Sequence, residues 1–528
     1  MATREKKKGW VEILLTKYRG TFATLILIPI SVCFESYLKS KRKISFWLRS
    51  APKKHDKRVQ KVRNQLKDWK ENGCQEQLTT GRSGWFSMSE LVPAYKKTNR
   101  KIHLNMNDIL EINEEKQTVR VEPQVSMGQL TSALNPRGWT IAVLPELDDL
   151  TVGGLVNGFG IETSSHKYGL FQYICESFEI ITPDGELKKC SKDENSDLFA
   201  MIPWSYGTLG FLVAVELKML PAKKYVRLQY IPIESQEQLI KKFEEESRKK
   251  EPHDFVEGIV FDKDRSVLLI GDMVDKKGDD GKRNPIRRWY KPWFYTHVEK
   301  ILNSAKDTVE YIPLRQYYHR HTRSLFWMMD HVIPFGNHPL HRFLFGWAMP
   351  PQLSLMKYFE TETTRRLREK HSVTQDMLVP IEKLKASLDH FHEYFNLYPL
   401  WLCPMAIYDH ENELGMIHPY KKPDGSKDEM FVDIGAYGIG NIEEFDGNEA
   451  LKKCEKFVVE NDGYQALYAK TFLSREDFRK MFDHSYYDKL RNKISLAQEA
   501  FPNVYDKLSS KSRIAPSEYK KLKVKKTN

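Results

Sequence analysis

LPELDDLTVGGLVNGFGIETSSHKYG, the stretch from Leu144 to Gly169, places four glycines within eight residues, at positions 153, 154, 158 and 160. Glycine lets main-chain N–H groups approach a ligand closely and adopt positive φ. Consecutive N–H groups without flanking side chains form a concavity that binds anions. The stretch therefore predicts a ligand-binding loop, and the pyrophosphate of a dinucleotide is the ligand that suits it best.

Two common phosphate-binding motifs do not fit these glycines. No Gly-Lys-Ser or Gly-Lys-Thr follows them, which excludes a P-loop. Gly158-Phe159-Gly160 continues as Ile161-Glu162-Thr163, so the third glycine of a Rossmann fingerprint is missing, and Asp148–Leu150 does not read as a buried strand. By itself the stretch is also compatible with an irregular crossing loop in a β-rich domain.

The flanking sequence predicts a mixed helix and sheet domain. Asp108–Ile112 and Thr118–Val121 read as a hairpin. Ser126–Gln129 has the pattern of a capping box that begins a short helix, and Asn135-Pro136 ends that helix. After the glycine loop, the predicted elements are strands at Phe178–Thr182, Leu187–Cys190 and Phe211–Leu220 and a short helix at Asn195–Ile202.

This order of elements resembles the PCMH-type FAD-binding domain of the vanillyl-alcohol-oxidase-like flavoproteins. The likeness rests on VEPQVSMGQL (Val121–Leu130), LDDLTVGGLVNGFGI (Leu147–Ile161) and GTLGFLVAVELKMLP (Gly207–Pro221). Later blocks resemble a branch of that family that reduces sterols, and the likeness runs from about Trp47 to Lys507. Those blocks are YKPWF (Tyr290–Phe294), YIPLRQYYHRHTRS (Tyr311–Ser324), FLFGWAMPP (Phe343–Pro351), QDMLVP (Gln375–Pro380) and FVDIGAYG (Phe431–Gly438).

The resemblance implies an α+β fold, with a two-part FAD-binding domain, an α/β cap domain for the substrate and an N-terminal membrane anchor. The expected divisions are residues 1–56 for a basic N-terminus with an anchor at about 21–38, 57–224 for the FAD-binding domain, 225–462 for the cap, 463–508 for a segment that returns to the FAD-binding domain, and 509–528 for a basic tail.

By resemblance, the glycine loop should bind the pyrophosphate and the edge of the flavin, and the residues after it should line the same cleft. Many relatives carry a histidine bonded covalently to the flavin near the position of Trp85 in Gly81–Trp85, so we expect dissociable, non-covalent FAD. The expected FAD-binding residues are Thr151, Val152, Gly153, Gly154, Leu155, Val156, Asn157, Gly158, Phe159, Gly160, Ile161, Glu162, Thr163, Ser164, Ser165, His166 and Gly169. For His166, a structural hydrogen bond to the backbone is an equally good interpretation.

The implied reaction is the reduction of an isolated delta-24 double bond in a sterol side chain, with NADPH reducing the flavin. Hydride cannot attack such an alkene first, because no neighbouring carbonyl withdraws electrons. Protonation at carbon 24 would place positive charge on carbon 25, which then accepts hydride from the reduced flavin. The site must therefore supply a general acid, a dry pocket and aromatic faces that stabilise the cation.

The run Tyr317–His321 is the richest source of acids in the chain. In an extended conformation, His319 and His321 would share one face, opposite Tyr318 and Arg320. Tyr318 and His321 are the expected catalytic residues, and a place in an interdomain hydrogen-bond network is the alternative role for each. Tyr468 and His418 are further candidates. No metal site is expected, because this His-x-His lacks a third ligand nearby.

The length and the net charge of the chain limit the number of domains and the kind of partner. A chain of 528 residues allows two or three domains. The net charge of +12 suits a membrane surface or a nucleic acid, but much of the excess lies at the two ends and no nucleic-acid motif accompanies it. We therefore expect no nucleic-acid partner. Six scattered cysteines without a CxxC motif are typical of reduced thiols in a cytosol-facing protein.

Thr21–Phe34 is an uncharged apolar run of fourteen residues, shorter than the roughly 17–25 that span a bilayer. It is interpreted as a tilted helix, a re-entrant hairpin or an uncleaved signal anchor, with a buried core helix as the alternative. More lysines and arginines follow the run than precede it, which favours a cytosolic catalytic body. Lys525–Asn528 resembles a dilysine signal. We expect a single-pass protein of the endoplasmic reticulum, with the Golgi as second location.

Two other functions stay open at this point. One is an FAD-dependent alcohol or sugar oxidase of the same fold, and the other is a sterol-binding membrane protein without catalysis. The sequence predicts neither the preferred sterol nor protein partners nor the oligomeric state.

Overall fold

The structure is a computed structural model that describes residues 17–49, 52–83, 92–351, 370–409, 415–442, 445–469, 471–509 and 513–514. The chain forms helices and two large sheets, as the predicted α+β class requires. All six cysteines are free thiols, as predicted.

The glycine loop belongs to a part of the chain built on a six-stranded antiparallel sheet. The strands lie in the order Ile109–Asn113, Thr118–Val121, Phe211–Pro221, Cys175–Ile181 and Leu187–Cys190, and Trp139–Ile141 pairs with the far end of Phe211–Pro221. Short helices connect them at Met127–Leu134, Val152–Asn157, Ser165–Tyr168 and Ser196–Met201. The predicted hairpin and the three strands predicted after the glycine loop are confirmed.

A second, smaller core lies on the N-terminal side of this sheet. Helix His55–Glu71 buries Val62, Leu66 and Trp69, and these side chains share a core with Phe211 of the six-stranded sheet. Leu78–Thr80 and Arg100–Ile102 form a parallel pair, and Val92–Pro93 pairs with Arg513–Ile514. The helix Tyr95–Thr98 lies between these strands in the chain.

Ser126 begins helix Met127–Leu134 with the predicted capping box. The Ser126 hydroxyl accepts a hydrogen bond from the Gln129 amide, and the Gln129 side chain accepts one from the Ser126 amide. Ser126 also forms an isolated bridge with Thr151 at the start of the glycine loop. The cap therefore fixes the backbone on which that loop is mounted.

The Ser126→Ala substitution is expected to lower the free energy of unfolding by about 1 kcal/mol, because the Gln129 amide loses the hydroxyl that accepts its hydrogen bond. Ser132→Ala, on the exposed side of the same helix, is the matched control and should change it by less than about 0.5 kcal/mol. Denaturant unfolding in detergent measures both. Equal effects of the two substitutions would contradict a special role for the cap.

The second large sheet has nine strands and lies in the C-terminal half. In spatial order they are Lys282–Arg283, Thr308–Pro313, Tyr225–Ile233, Ser266–Val274, Phe255–Val260, Leu400–Ala406, Met430–Ile439, Ser372–Pro380 and Tyr464–Gln465. The first pair is parallel and all others are antiparallel. Helices Gln236–Ser247, Phe294–Ser304 and Gly447–Glu460 contact it, and Leu384–Tyr394 joins Gly447–Glu460. The sequence also predicts strands at Val256–Phe261, Val267–Asp272 and Phe431–Ala436, and the structure confirms all three to within three residues.

The two ends of the described chain pack on this body. At the N-terminus, the helical segment Arg19–Tyr37 is long enough and apolar enough to cross a membrane, and its mean hydropathy is 1.4. It contains a π-helical turn at Ala23–Leu27, and the helix continues to Arg49. Near the C-terminus, helices Arg475–Met481, Ser485–Lys493, Ala497–Ala500 and Val504–Leu508 follow one another. Tyr487 Oη lies 2.6 Å from Thr208 Oγ1, which joins this segment to the six-stranded sheet.

Candidate functional site

The first half of the glycine loop is a short helix, Val152–Asn157, whose amides are already used. The Val152 and Gly153 amides donate to the carbonyls of Val125 and Pro123, and the Gly154 and Leu155 amides both donate to Thr151. The sequence predicted bare amides along the whole loop. That expectation fails for these four, because helix formation and a close approach to residues 123–125 satisfy their N–H groups.

The second half of the loop keeps the predicted anion-binding character. The amides of Phe159, Gly160 and Ile161 have no acceptor within the described chain. Gly160 and Ile161 are buried, and a buried amide without a partner costs about 1–3 kcal/mol. A Cβ on Gly160 would lie 2.9 Å from Leu155 Cδ2. Three consecutive amides in a tight cradle fit the oxygen and nitrogen acceptors of a flavin nucleotide.

Arg82 contributes a positive charge to the same place. The Arg82 Nη1 atom lies 3.4 Å from Thr151 Oγ1, at the start of the glycine loop. Gly84 and Trp85, on which the expectation of dissociable FAD rests, lie outside the described residues. A guanidinium beside the loop adds to its fit for a pyrophosphate.

The residues after the loop bind it to the rest of the protein. Ser164 donates to the Ala142 carbonyl, and Ser165 accepts from the Glu162 amide. Gly169 has φ +70°, and a Cβ there would lie 2.4 Å from the Tyr173 ring. His166 Nε2 lies 3.0 Å from the His253 carbonyl and must be its donor, so His166 has the structural hydrogen bond considered from the sequence.

His166 provides a test by pH. Burial lowers the pKa of His166 to about 4, although hydrogen bonds to backbone oppose that effect. Between pH 6.5 and 4 the unfolded chain then binds the proton and the folded chain does not, so stability falls as the pH falls. From pH 7 to pH 5 the wild type should lose roughly 2 kcal/mol more than His166→Gln, which retains an N–H donor. Unfolding curves at both pH values measure this; parallel losses would contradict it.

Arg320 joins the end of the glycine loop to the nine-stranded sheet. Its Nε and Nη2 atoms lie 2.9 Å from the two carboxylate oxygens of Glu257, and Nη2 lies 3.0 Å from Glu162 Oε1. All three side chains are fully buried. Burial raises the pKa of Glu162, but at Glu257 Arg320 and His321 outweigh burial and lower the pKa to about 2. The loop and the sheet are therefore joined by ion pairs shielded from water.

The run Tyr317–His321 is not extended, so the two faces that an extended chain would have do not form. Leu314–Tyr318 is helical and turns follow, so neighbouring side chains point to different partners. His319 contacts Thr131 Oγ1 at 2.9 Å, whereas His321 Nε2 lies 3.7 Å from Glu257. These two partners belong to different parts of the protein, and a turn lets neighbouring residues reach both of them.

Tyr318 and His321, the predicted catalytic residues, both lie at the interface between the two sheets. The Tyr318 hydroxyl accepts a hydrogen bond from Thr140 at 3.1 Å. The His321 ring stacks on Phe326 at 4.3 Å, and burial lowers its pKa to about 4. Of the further candidates, Tyr468 is hydrogen-bonded to Asp376, while His418 is half-exposed and lies 3.5 Å from Asp483. Tyr468 therefore belongs to this interface, and His418 lies apart from it.

Three buried carboxyl groups that were not predicted from the sequence lie at the same interface, those of Glu146, Asp376 and Asp433. Asp433 is fully buried, and neither of its oxygens has a hydrogen-bond partner within the described chain. Asp376 lies opposite Gly435 in the register, so it shares a sheet face with Asp433. Asp376 also accepts a hydrogen bond from Tyr437. The sequence did contain a signal for these groups: Asp433 in FVDIGAYG and Asp376 in QDMLVP are acidic residues within otherwise apolar strands, where a charged side chain is rare.

Burial raises the pKa of each of the three carboxyl groups, and at Asp433 and Glu146 the charges of neighbouring carboxylates add to that effect. Burial and the charges of Asp376 and Glu146 raise the pKa of Asp433 well above its usual value. Burial raises the pKa of Asp376 to about 6, and burial together with Glu162 raises that of Glu146 to about 8. Glu146 precedes the glycine loop, whereas Asp433 lies in the nine-stranded sheet. Because the charge of Glu146 raises the pKa of Asp433, these two carboxyl groups lie close together. The interface therefore holds protons on carboxyl groups at neutral pH.

Comparisons with known proteins show the family to which the chain belongs. Residues 58–191 match the family model of an FAD binding domain. The chain is 48% identical over 503 residues to the Delta(24)-sterol reductase of Rattus norvegicus and 47% identical to that of Homo sapiens, in each case over 95% of this chain and 96% of the relative. It is 40% identical to the Delta(24)-sterol reductase homolog of Caenorhabditis elegans, over 96% of this chain and 98% of the relative.

Proposed function

The chain belongs to the delta(24)-sterol reductase family, and from that premise we propose that it is an FAD-dependent oxidoreductase that reduces the delta-24 side-chain double bond of sterols. One observation carries the proposal. Asp433, a buried carboxyl group without a hydrogen-bond partner in the described chain, faces the interface at which the glycine loop ends. An isolated alkene needs a proton donor of this kind in a dry pocket.

FAD, when bound and reduced, would supply the hydride, and the residues 151–163 would hold it without a covalent bond. NADPH is the proposed reductant, because the reaction consumes two electrons that must come from a soluble donor. The division into an FAD-binding part at 57–224, a cap at 225–462 and a returning segment at 463–508 is supported by the two-sheet arrangement. Ser164, Ser165, His166 and Gly169 would orient the loop through the contacts described above.

Asp433 is the group that we favour as the proton donor to carbon 24. His321, with a pKa of about 4, is uncharged at pH 7 and has no readily released proton. Burial raises the pKa of Tyr318 far above neutrality, so its phenol is the weaker acid. Tyr318 and His321 remain alternative donors, or they hold the interface together. A neutral carboxyl group in an apolar site is the strongest acid of the three at neutral pH.

The aromatic side chains beside Asp433 suit the cation that would form on carbon 25. Trp401 lies opposite Gly435 in the register and so shares the sheet face of Asp433. Phe326 contacts the Trp401 ring at 5.2 Å and the Tyr437 ring at 4.8 Å. These faces would stabilise positive charge by cation–π attraction while excluding water.

We also propose attachment to the membrane of the endoplasmic reticulum, with the body in the cytosol and the Golgi as second location. The apolar helix Arg19–Tyr37 supports attachment, and a single crossing is the mode expected from the sequence. The dilysine-like end at Lys525–Asn528 supports the location.

The proposal is tested with purified protein that carries FAD. NADPH should bleach the flavin absorbance without oxygen, and a delta-24 sterol should restore it while the product gains two hydrogen atoms by mass spectrometry. In Asp433→Asn, bleaching should persist and sterol-dependent reoxidation should slow by about 10²–10⁴-fold. The infrared band of a protonated carboxyl group should also disappear. Rapid reoxidation by oxygen alone would indicate an oxidase, and failure of NADPH to bleach would indicate a non-catalytic sterol-binding protein.

A further inference from the structure

The N-terminal apolar helix is packed along the body rather than projecting from it. Residues spaced three to four apart are buried against the protein, as one face of a helix requires: Gly20, Ala23, Thr24, Leu27, Ile28 and Ser31. At 1.5 Å per residue, the packed part is about 17 Å long. The apolar residues beyond Ser31 end at Leu38 and extend only about 10 Å, whereas crossing needs about 30 Å.

The opposite face of this helix is apolar and open to solvent. Leu25 is 64% exposed, and Ile26 and Ile30 are each at least 40% exposed. A helix at a water-facing surface normally turns its polar side outward. This helix turns an apolar side outward, while its packed face mixes the small or polar Gly20, Thr24 and Ser31 with buried apolar residues.

A second element, which lies beside this helix, also turns an apolar face to the solvent. Helix Pro339–Phe345 continues into a 3-10 turn at Gly346–Ala348. Its inward side chain His341 donates from Nδ1 to the Gly336 carbonyl and is hydrogen-bonded through Nε2 to Thr24 Oγ1, both at 3.1 Å. The outward side chains form an apolar stripe at helical spacing, with exposed fractions of 50–65%: Leu340, Phe343, Leu344 and Trp347.

The two elements are neighbours, and their outward faces form one surface. His341 contacts Thr24, and a Cβ on Gly20 would lie 2.7 Å from the Phe335 ring. Trp289, whose carbonyl oxygen is 2.4 Å from the Cβ position of Gly346, adds an exposed aromatic ring at the edge of the stripe. Contiguous exposed apolar area of this kind marks an interaction site.

Resting on the proposed membrane attachment, we propose that this surface inserts into one leaflet of a lipid bilayer, so that the N-terminal helix lies in the membrane and does not make the single crossing expected from the sequence. Its residues Leu25, Ile26, Ile30, Leu340, Phe343 and Trp347 define the apolar docking face. A bilayer is the occupant that fits, because the face combines a continuous apolar helix with a tryptophan at its edge, where membrane proteins place aromatic rings. Lys17 and Arg19, at the helix start, suit anionic headgroups.

Vesicle binding tests the face directly. The full-length protein is diluted from detergent into vesicles of phosphatidylcholine and phosphatidylserine, and the bound fraction is measured by sedimentation. Leu340→Ser/Phe343→Ser/Trp347→Ser should bind at least tenfold more weakly than wild type. Leu187→Ser, an exposed leucine on the hairpin of the six-stranded sheet, is the matched control for Leu340→Ser and should bind as wild type does.

The flavin spectrum of each variant verifies that it is folded, since the altered side chains are exposed. Binding of the triple variant equal to wild type would overturn the proposal. So would a triple variant that changes only from dimer to monomer in light scattering, because that result would assign the face to a second copy of this chain.

Topology reporters test the orientation of the helix. One glycosylation acceptor is placed ahead of Lys17 and another in the exposed loop around Lys276, and each chain is expressed in microsomes. A helix that lies in the cytosolic leaflet leaves both acceptors unmodified, whereas a crossing helix exposes one of them to the lumen. Modification of either acceptor would overturn the proposal; a secreted reporter in the same microsomes verifies that glycosylation works.

Discussion

Replacing Arg320 by leucine is expected to lower the free energy of unfolding by about 3–5 kcal/mol. Arg320 is fully buried, and it pairs with Glu257 through two hydrogen bonds and with Glu162 through a third. Without the guanidinium, Glu257 would keep the hydrogen bond from the Trp401 indole at 2.9 Å and the contact with uncharged His321 at 3.7 Å, but no cation. A buried carboxylate without its cation is destabilising far beyond the loss of the contacts themselves.

Two control variants distinguish the stability lost because the ion pair is buried from the stability lost when any ion pair is broken. Arg479→Leu breaks a surface pair with Asp488 of 2.8 Å and should cost less than about 1 kcal/mol. Arg320→Leu combined with Glu162→Gln and Glu257→Gln should regain at least half of the lost stability, because no uncompensated charge remains. Denaturant unfolding measures all variants. A loss in Arg320→Leu no larger than in Arg479→Leu would show that water reaches the interface.

Local patterns were the part of the fold that the sequence predicted well. The Ser126 capping box and the hairpin at residues 109–121 depend on neighbours in the chain, so the residue types alone determine them. The family resemblance then predicted the FAD-binding domain, which the match at residues 58–191 confirms. Both predictions rest on information contained in short, contiguous segments.

The site itself depends on contacts between distant segments. Arg320 lies 158 residues from Glu162 and 63 from Glu257, and no local pattern indicates that the three side chains meet. For the run Tyr317–His321, two faces were considered only for an extended chain, and no local pattern reveals the distant partners around which the run turns. Asp433 was missed for the same reason, since its burial follows from the pairing of strands far apart in the chain.

Adjacent glycines of the loop offer the sharpest test of cofactor binding. Gly153→Val is expected to weaken FAD binding at least tenfold, because a Cβ at Gly153 would lie 2.7 Å from Pro123 Cβ and 3.0 Å from the Pro123 carbonyl oxygen. Neither atom can move without shifting the backbone that the Gly153 amide binds at 2.8 Å. The displaced helix would carry the acceptor-free amides of residues 159–161 away from the flavin.

Gly154→Ala is the matched control and should act in the opposite direction on stability. Its Cβ would meet only the Thr151 hydroxyl, at 3.2 Å, and alanine in place of glycine in a helix stabilises by roughly 0.5–1 kcal/mol. FAD affinity is measured by titrating the apoprotein and following flavin fluorescence, and unfolding of the apoprotein separates lost binding from lost folding. If Gly153→Val bound FAD as tightly as Gly154→Ala, residues 151–163 could not be the segment that holds the cofactor, because a loop pushed off Pro123 cannot keep its amides in place.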